Sequence, residues 1–597
     1  MNIEKIRNFA IIAHIDHGKS TLADRLIEYT HALSKREMKE QILDTLEVEK
    51  LHGITVKSQS VRLNYKAPSG KEYSLNMIDT PGHVDFSYEV SRSLSACEGV
   101  LLVVDASQGV EAQTIAHSYL AIENGLKIIP VINKIDLPTA DVEKTKTEIK
   151  EAIGIDAEDA LCISAKLDLG IDKVLESIIE KIPHPEGKEV PLKALIIDSW
   201  YDNYKGIVCL IRVFDGKIKT GENIMMYSTK KTYEVMECGV FTPKINVLDK
   251  LSIGSVGYMV CGIKNIQEAL VGDTITNIEE PANTPMSGFK KSKPCVFAGI
   301  YPTEPKDFPE FKKALEKLQL NDAALILQPD SSTALGYGFR CGFLGLLHLN
   351  ITRERLETEF GSDIVAAAPT VVYHIKTKEE KIIDISNPAH FPDNALSICE
   401  PYVSAEIITP TEFLGNIMKL LKEKRGIQKG MTYISFNRVI IKVLLPFSEI
   451  ITNFHERLQS YTKGHGSFDY EFEGYKPSDV VKLNILINGK SVDALSMIIY
   501  REKAYLHARK MLQNLRKLIP RQLFEVRLQA TIGKKIIAKE EIKALRKNVT
   551  AKCYGGDITR KMKLLEKQKA GKKRMKEIGN VKIAKEAFSQ VLGIQGK

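Results

Sequence analysis

Phe9-Ala10-Ile11-Ile12-Ala13 runs into His14-Ile15-Asp16-His17-Gly18-Lys19-Ser20 and then into Thr21-Leu22-Ala23-Asp24-Arg25-Leu26. The first five residues have the length and composition of a buried strand, and the last six continue as a helix. Strand, tight loop and helix together form the setting that a phosphate-binding P-loop requires. Backbone N–H groups of Asp16, His17, Gly18 and the helix start at Thr21 converge on a polyphosphate. Lys19 brings a point charge to the outer phosphates, and the Ser20 hydroxyl is a ligand for Mg²⁺. Ala13 stands where the general pattern has its first Gly.

Three more loops follow at the ends of apolar strands. Asn76-Met77-Ile78-Asp79-Thr80-Pro81-Gly82-His83 places the carboxylate of Asp79 where it can hold a Mg²⁺-bound water, and the N–H of Gly82 where it can sense a γ-phosphate. After Ile128 to Ile132 comes Asn133-Lys134-Ile135-Asp136. A carboxylate at Asp136 accepts both N1–H and the 2-amino group of guanine, a donor pair that adenine lacks. Ser164-Ala165-Lys166, after Cys162-Ile163, offers a backbone N–H to the guanine O6. Four such elements in this order on an α/β alternation predict a G domain over residues 1–184 that binds GTP and Mg²⁺.

The chain has 597 residues, 44% hydrophobic and 27% charged, which suits several globular domains and excludes a disordered or fibrous protein. No apolar run reaches the length of a membrane span, and the first residues lack a signal-peptide pattern, so a cytoplasmic location is expected. The 9 cysteines include no Cys-x-x-Cys pair, which argues against a disulfide framework or a zinc site. Charge is segregated. Residues 501–597 hold 27 Lys and Arg against 8 Asp and Glu, whereas the 500 before them hold 57 against 67. A polycation on a mildly acidic body is the footprint of a surface that meets phosphate, in nucleic acid or at an anionic membrane.

Ala13 to Thr21, Gly53-Ile54-Thr55, Asp79 to His83 and Asp105-Ala106-Ser107-Gln108-Gly109 resemble the translational GTPases, the group of elongation factors Tu and G. The resemblance implies that Thr55 joins Ser20 on Mg²⁺, with Asp79 acting through water. It also implies that His83 orients the attacking water, and that Ile15 and Ile54 form an apolar gate on its approach. Leu51-His52 departs from the charged pair usual before Gly53.

The rest of the chain is similar to the same group, which makes the expected fold class multidomain α/β and α+β. Residues 185–282, with β-branched runs between Gly turns, look like a β-barrel second domain. The Gly-rich stretch Leu335 to His348 resembles part of an α+β, ferredoxin-like domain III, taken as residues 290–376. Residues 377–399 are expected to be a linker standing where elongation factor G inserts a domain IV of about 100 residues. Residues 400–488 suit a second ferredoxin-like domain, similar to domain V. Residues 489–597, with Ala551-Lys552-Cys553-Tyr554-Gly555-Gly556-Asp557-Ile558-Thr559-Arg560-Lys561, are similar to the basic C-terminal domain of the LepA family, in a bacterial form.

That resemblance implies a monomeric, ribosome-dependent GTPase stimulated by the large subunit, in contact with both subunits and with tRNA. The implied action is one-codon back-translocation, with Lys552, Arg560 and Lys561 as candidate tRNA contacts. Two other readings compete: a BipA-type ribosome-assembly or stress GTPase, and a membrane-surface signalling GTPase whose basic tail binds anionic lipid at the inner membrane.

Overall fold

The computed structural model describes residues 2–33, 41–202, 204–263, 268–288, 294–322, 324–332, 335–392, 395–435, 437–451, 453–545 and 558–578. The N-terminal sheet contains β1 (Ile6–Ala13), β2 (Gln59–Lys66), β3 (Glu72–Asp79), β4 (Gly99–Asp105), β5 (Lys127–Asn133) and β6 (Leu161–Cys162) in the order β2-β3-β1-β4-β5-β6. All pairs are parallel except β2 with β3. Every residue of β1 and β4 is buried, as expected of parallel strands covered on both faces.

Alternate β1 side chains serve opposite layers. Phe9, Ile11 and Ala13 pack with α1 (Lys19–Tyr29) and α6 (Ile171–Lys181), while Ala10 and Ile12 pack with α3 (Ser87–Leu94), α4 (Ala112–Glu123) and α5 (Val142–Ile153). The short helix α2 (Glu47–His52) precedes Gly53-Ile54-Thr55. The P-loop, the Asp79 loop, the Asn133 loop and the Ser164 loop thus all emerge at the C-terminal edge of one sheet, where α/β folds bind ligands.

An eight-stranded antiparallel sheet spanning residues 193–277 and a two-stranded ribbon (217–219 with 250–252) enclose one apolar core, to which Ile196, Ile211, Ile218, Leu251 and Met259 all contribute. The third unit has the connectivity βαββαβ: Val296–Pro302, helix Phe308–Asn321, Ile326–Ser332, Gly336–Phe343, helix Leu346–Thr358 and Ile364–Ala366. Its first strand lies between the third and fourth in the sheet, the ferredoxin-like order. The same order recurs with Ala395–Pro410, helix Leu414–Glu423, Ile427–Ser435, Arg438–Pro446, helix Phe454–Thr462 and Ser467–Pro477.

Two segments differ from expectation. Residues 377–399 are more than a linker: Tyr373–Thr377 and Ile382–Ile385 form a hairpin that extends the domain V sheet, with His374 opposite Cys399 and Ile375 opposite Ile398. Strand Ala395–Pro410 is 16 residues long, and its first part would be an unpaired edge without that hairpin. Strand Val480–Ile487, expected in domain V, pairs with Val526–Ile532 and Met497–Tyr500 in the C-terminal sheet. Its apolar alternation, Leu483, Ile485 and Ile487, matches the face on which helix Arg501–Leu518 lays Ala508, Met511, Leu512 and Leu515. Tyr301, Leu335 and Val365 of domain III enter the same core.

Candidate functional site

Side chains from one loop brace the backbone of the next. Asp16 takes φ 63° and Gly18 φ 91°, the left-handed region. A Cβ on Gly18 would lie 2.3 Å from the Asn133 amide nitrogen, so only glycine fits. Asn133 Nδ2 donates to the His17 carbonyl at 3.0 Å, and Asn133 Oδ1 accepts from the Ala165 N–H at 3.0 Å. Lys134 Nζ donates to the Asp16 carbonyl at 2.6 Å and pairs with Asp105 at 2.9 Å. Ser164 Oγ donates to Asp136 Oδ1 at 2.6 Å and accepts the Leu167 N–H at 3.2 Å. The Lys166 and Ala165 carbonyls accept from Arg25 of α1. Gly82 lies against the P-loop, where a Cβ would stand 3.2 Å from the Ala13 carbonyl oxygen. Thr21 is exposed in the first turn of α1.

Lys19, Thr55 and Asp79 converge. Lys19 Nζ is 2.6 Å from Asp79 Oδ1 and 2.8 Å from Thr55 Oγ1. Asp79 is fully buried, and that burial pushes its carboxyl pKa above the usual carboxylate range despite the Lys19 charge. Asp44, absent from the expected site residues, accepts the Thr55 hydroxyl at 2.9 Å, while its Oδ2 is buried with no hydrogen-bond partner among the described residues. No sequence signal marked it, because residues 34–54 match no phosphate-loop pattern. Ser20, half-buried, directly follows Lys19 at the helix start.

His83 is mostly buried, and desolvation lowers its pKa. Its Nδ1 accepts the Asp85 N–H at 3.1 Å, which leaves the ring proton on Nε2. Ile54 packs in a small cluster with Val48, Phe86 and Ile351. Ile15 is part-buried in the P-loop. Three other histidines lie on this side of the sheet. His14 and His17 meet edge to face with ring centres 5.1 Å apart, and burial lowers their pKa values to about 4 and about 3. Burial also lowers His117 to about 4.

Domain V closes over this edge. Arg438 is buried between Glu111 and Glu148 of the G domain, and Glu111 also accepts the Ser467 hydroxyl. The C-terminal unit is anchored to domain V by Lys503, 2.6 Å from Glu449 and 2.8 Å from the Glu423 carbonyl. Lys552 lies outside the described residues, and Arg560 and Lys561 stand in the first turn of helix Ile558–Ile578. Among the described residues no helix is long and apolar enough to cross a membrane.

Relatives agree with this order of units. The Elongation factor Tu GTP binding domain family matches residues 4–184 and the Elongation factor Tu domain 2 family residues 206–276. The Elongation factor G C-terminus family matches 397–486, and the GTP-binding protein LepA C-terminus family 487–593. A Thermus thermophilus crystal structure shares the fold at 17% identity with a TM-score of 0.56, covering 79% of this chain and 97% of its own. The chain is therefore a translational GTPase, a hydrolase that acts on GTP. Proteins named Elongation factor 4 from Nitratidesulfovibrio vulgaris and Aquifex aeolicus are each 56% identical to it, over 99% and 100% of both chains, and one from Lactococcus lactis is 55% identical over 99% of this chain and 98% of its own. The chain belongs to the elongation factor 4 family.

Proposed function

We propose that this GTPase hydrolyses GTP on the ribosome and uses the cycle to reposition tRNA by one codon, from the post- to the pre-translocation state. Asp16, His17, Gly18, Lys19, Ser20, Thr21 and Gly82 bind the phosphates. Asn133, Lys134, Asp136, Ser164, Ala165 and Lys166 bind guanine, His83 orients the attacking water, and Ile15 and Ile54 gate it. Ser20, Thr55 and Asp79 offer only hard oxygen donors, and with the unpartnered Asp44 Oδ2 beside them the set suits Mg²⁺. Ser20 and Thr55 would hold the ion directly and Asp79 through water; when bound it neutralises charge on the phosphates.

The observation that carries the reading is the joining of a basic unit to domain V through Lys503, while domain V holds the G domain through Arg438. Positive charge for RNA and the nucleotide loops belong to one connected body. Monomeric action, contact with both ribosomal subunits and weak membrane association extend the same reading. Toeprinting of post-translocation ribosomes with this protein and GTP tests it: a one-codon backward shift is expected, and an unmoved toeprint would exclude tRNA remodelling. Asp136→Asn should move nucleotide preference from guanine toward xanthine in an exchange titration; unchanged GTP affinity would remove Asp136 from the base pocket.

A further inference from the structure

Two residues beyond His83, the Asp85 carboxylate reaches out of the G domain. Asp85 Oδ2 accepts the backbone N–H groups of Leu347 at 2.8 Å and His348 at 3.4 Å, the first turn of the domain III helix Leu346–Thr358. The helix has no side-chain cap of its own: Gly345 is its N-cap residue, and the carboxylate that serves it comes from 260 residues earlier. Asp85 Oδ1 accepts the hydroxyl of Tyr470 in domain V at 3.1 Å. Asp85 is only 7% exposed, so these bonds form where water does not compete well. Gly345 makes the approach possible, because a Cβ there would lie 2.1 Å from the Asp85 carboxyl carbon.

The same residue holds His83 from behind. The Asp85 N–H donates to His83 Nδ1, and residues 84–86 form one 3₁₀ turn that begins at His83. Phe86 of that turn lies 6.0 Å, ring centre to ring centre, from His348. The segment around Thr55 rests on the same helix, with Ile54 and Val48 against Ile351 and His52 2.6 Å from Glu354.

We propose that Asp85 is a positioning residue for GTP hydrolysis: clamped by the helix 346–358 N-terminus and by Tyr470, it holds His83 in one orientation and one tautomer only while domains III and V are docked. Through Asp85 the turn is tied to a backbone terminus in domain III and to a hydroxyl in domain V, so the presentation of His83 depends on how III and V sit. This inference rests on the role of His83 given above.

The test is steady-state GTP hydrolysis with saturating ribosomes, alongside GTP affinity and the thermal midpoint of each variant. Asp85→Ala, and Gly345→Ala as a steric wedge that leaves the carboxylate chemically intact, should each lower kcat by about tenfold, with the KM for ribosomes and the GTP affinity within about twofold of the parent. Tyr470→Phe, which removes one hydrogen bond and little volume, should lower kcat by about threefold. Asp85→Asn should recover most of the rate, because its amide oxygen accepts from Leu347 and its NH₂ donates to the Tyr470 oxygen. A merely structural residue would move the thermal midpoint without this kcat-selective loss and rescue. Parental kcat in Asp85→Ala and Tyr470→Phe, or an Asp85→Asn rate no better than Asp85→Ala, would overturn the proposal. His83→Ala keeps the two readings apart. If it retains turnover, the role of His83 is wrong; if it is inactive while the clamp variants are normal, only the clamp is wrong.

Discussion

Cations in the nucleotide loops and cations in the C-terminal unit do different work, and burial separates them. Lys19 is 8% exposed and bound to both Asp79 and Thr55. Arg501 and Arg516 are more than half exposed and pair with single carboxylates at the surface. A buried ammonium ion acts through short directed contacts that a single substitution destroys. Exposed charges act through a shared field that salt screens and that many residues supply. The nucleotide site should therefore respond steeply to single changes, and the basic unit gradually to charge and ionic strength.

The largest expected contrast lies at His83. His83→Ala should leave GTP binding intact and cut ribosome-stimulated turnover by roughly 10³, about 4 kcal/mol in the barrier. Near-parental phosphate release would place His83 among ordinary turn residues.

Next comes Arg438, the buried cation between domain V and Glu111 and Glu148. Removing it takes the guanidinium from two buried carboxylates and leaves Glu111 with the Ser467 hydroxyl and Glu148 with the Val110 N–H and Lys144, so Arg438→Ala should cost about 3 kcal/mol in urea unfolding. By the same measure the surface pair Arg501–Asp479, cut by Arg501→Ala, should cost below about 1 kcal/mol. Equal costs would mean that burial is not what separates the two regions.

Acid should weaken the G domain through its buried histidines. His17 and His117 are buried, and burial holds their folded pKa values at about 3 and about 4, below the unfolded value of about 6.5. The unfolded chain binds more protons in that window. The stability these two contribute is thus full above about pH 6.5 and falls as pH drops toward 4, by up to about 1.4 kcal/mol per pH unit for each histidine. Urea titrations from pH 7.5 to 4.5 should show the slope, and His117→Gln should reduce it by about one proton; an unaltered slope would mean that His117 is protonated in the fold.

The smallest effect is expected from neutralising Lys552, Arg560 and Lys561 together. The salt dependence of tRNA or ribosome binding should become shallower by up to about three units in log–log slope, while GTP affinity stays the same. Liposome flotation of the same variant separates RNA from lipid: lost vesicle binding with an unaltered toeprint would assign the patch to membrane.

Much of the candidate site was legible because its parts are contiguous. Each nucleotide loop is a run of a few residues at the end of an apolar strand, so spacing along the chain mirrors spacing in the site. Asp44, Asp85 and Arg438 were not legible. Asp44 meets Thr55 from the far side of the short helix α2, 11 residues away, and Arg438 meets Glu111 across 327. Nothing local distinguishes Asp85 from any acid after a turn. Strand Val480–Ile487 was misplaced for a related reason: its alternation shows that one face is buried but not which sheet it joins.

Sequence alone, through local motifs and apolar periodicity, settles the G domain, its preference for guanine nucleotides and the order of the units, because those depend on residues near one another in the chain. Tertiary structure decides which side chains cross between units: Asp85 on the helix 346–358, Tyr470 on Asp85, Arg438 on Glu111 and Lys503 on Glu449. Burial makes those few polar contacts strong, and burial is a property of packed surfaces that no stretch of sequence carries by itself.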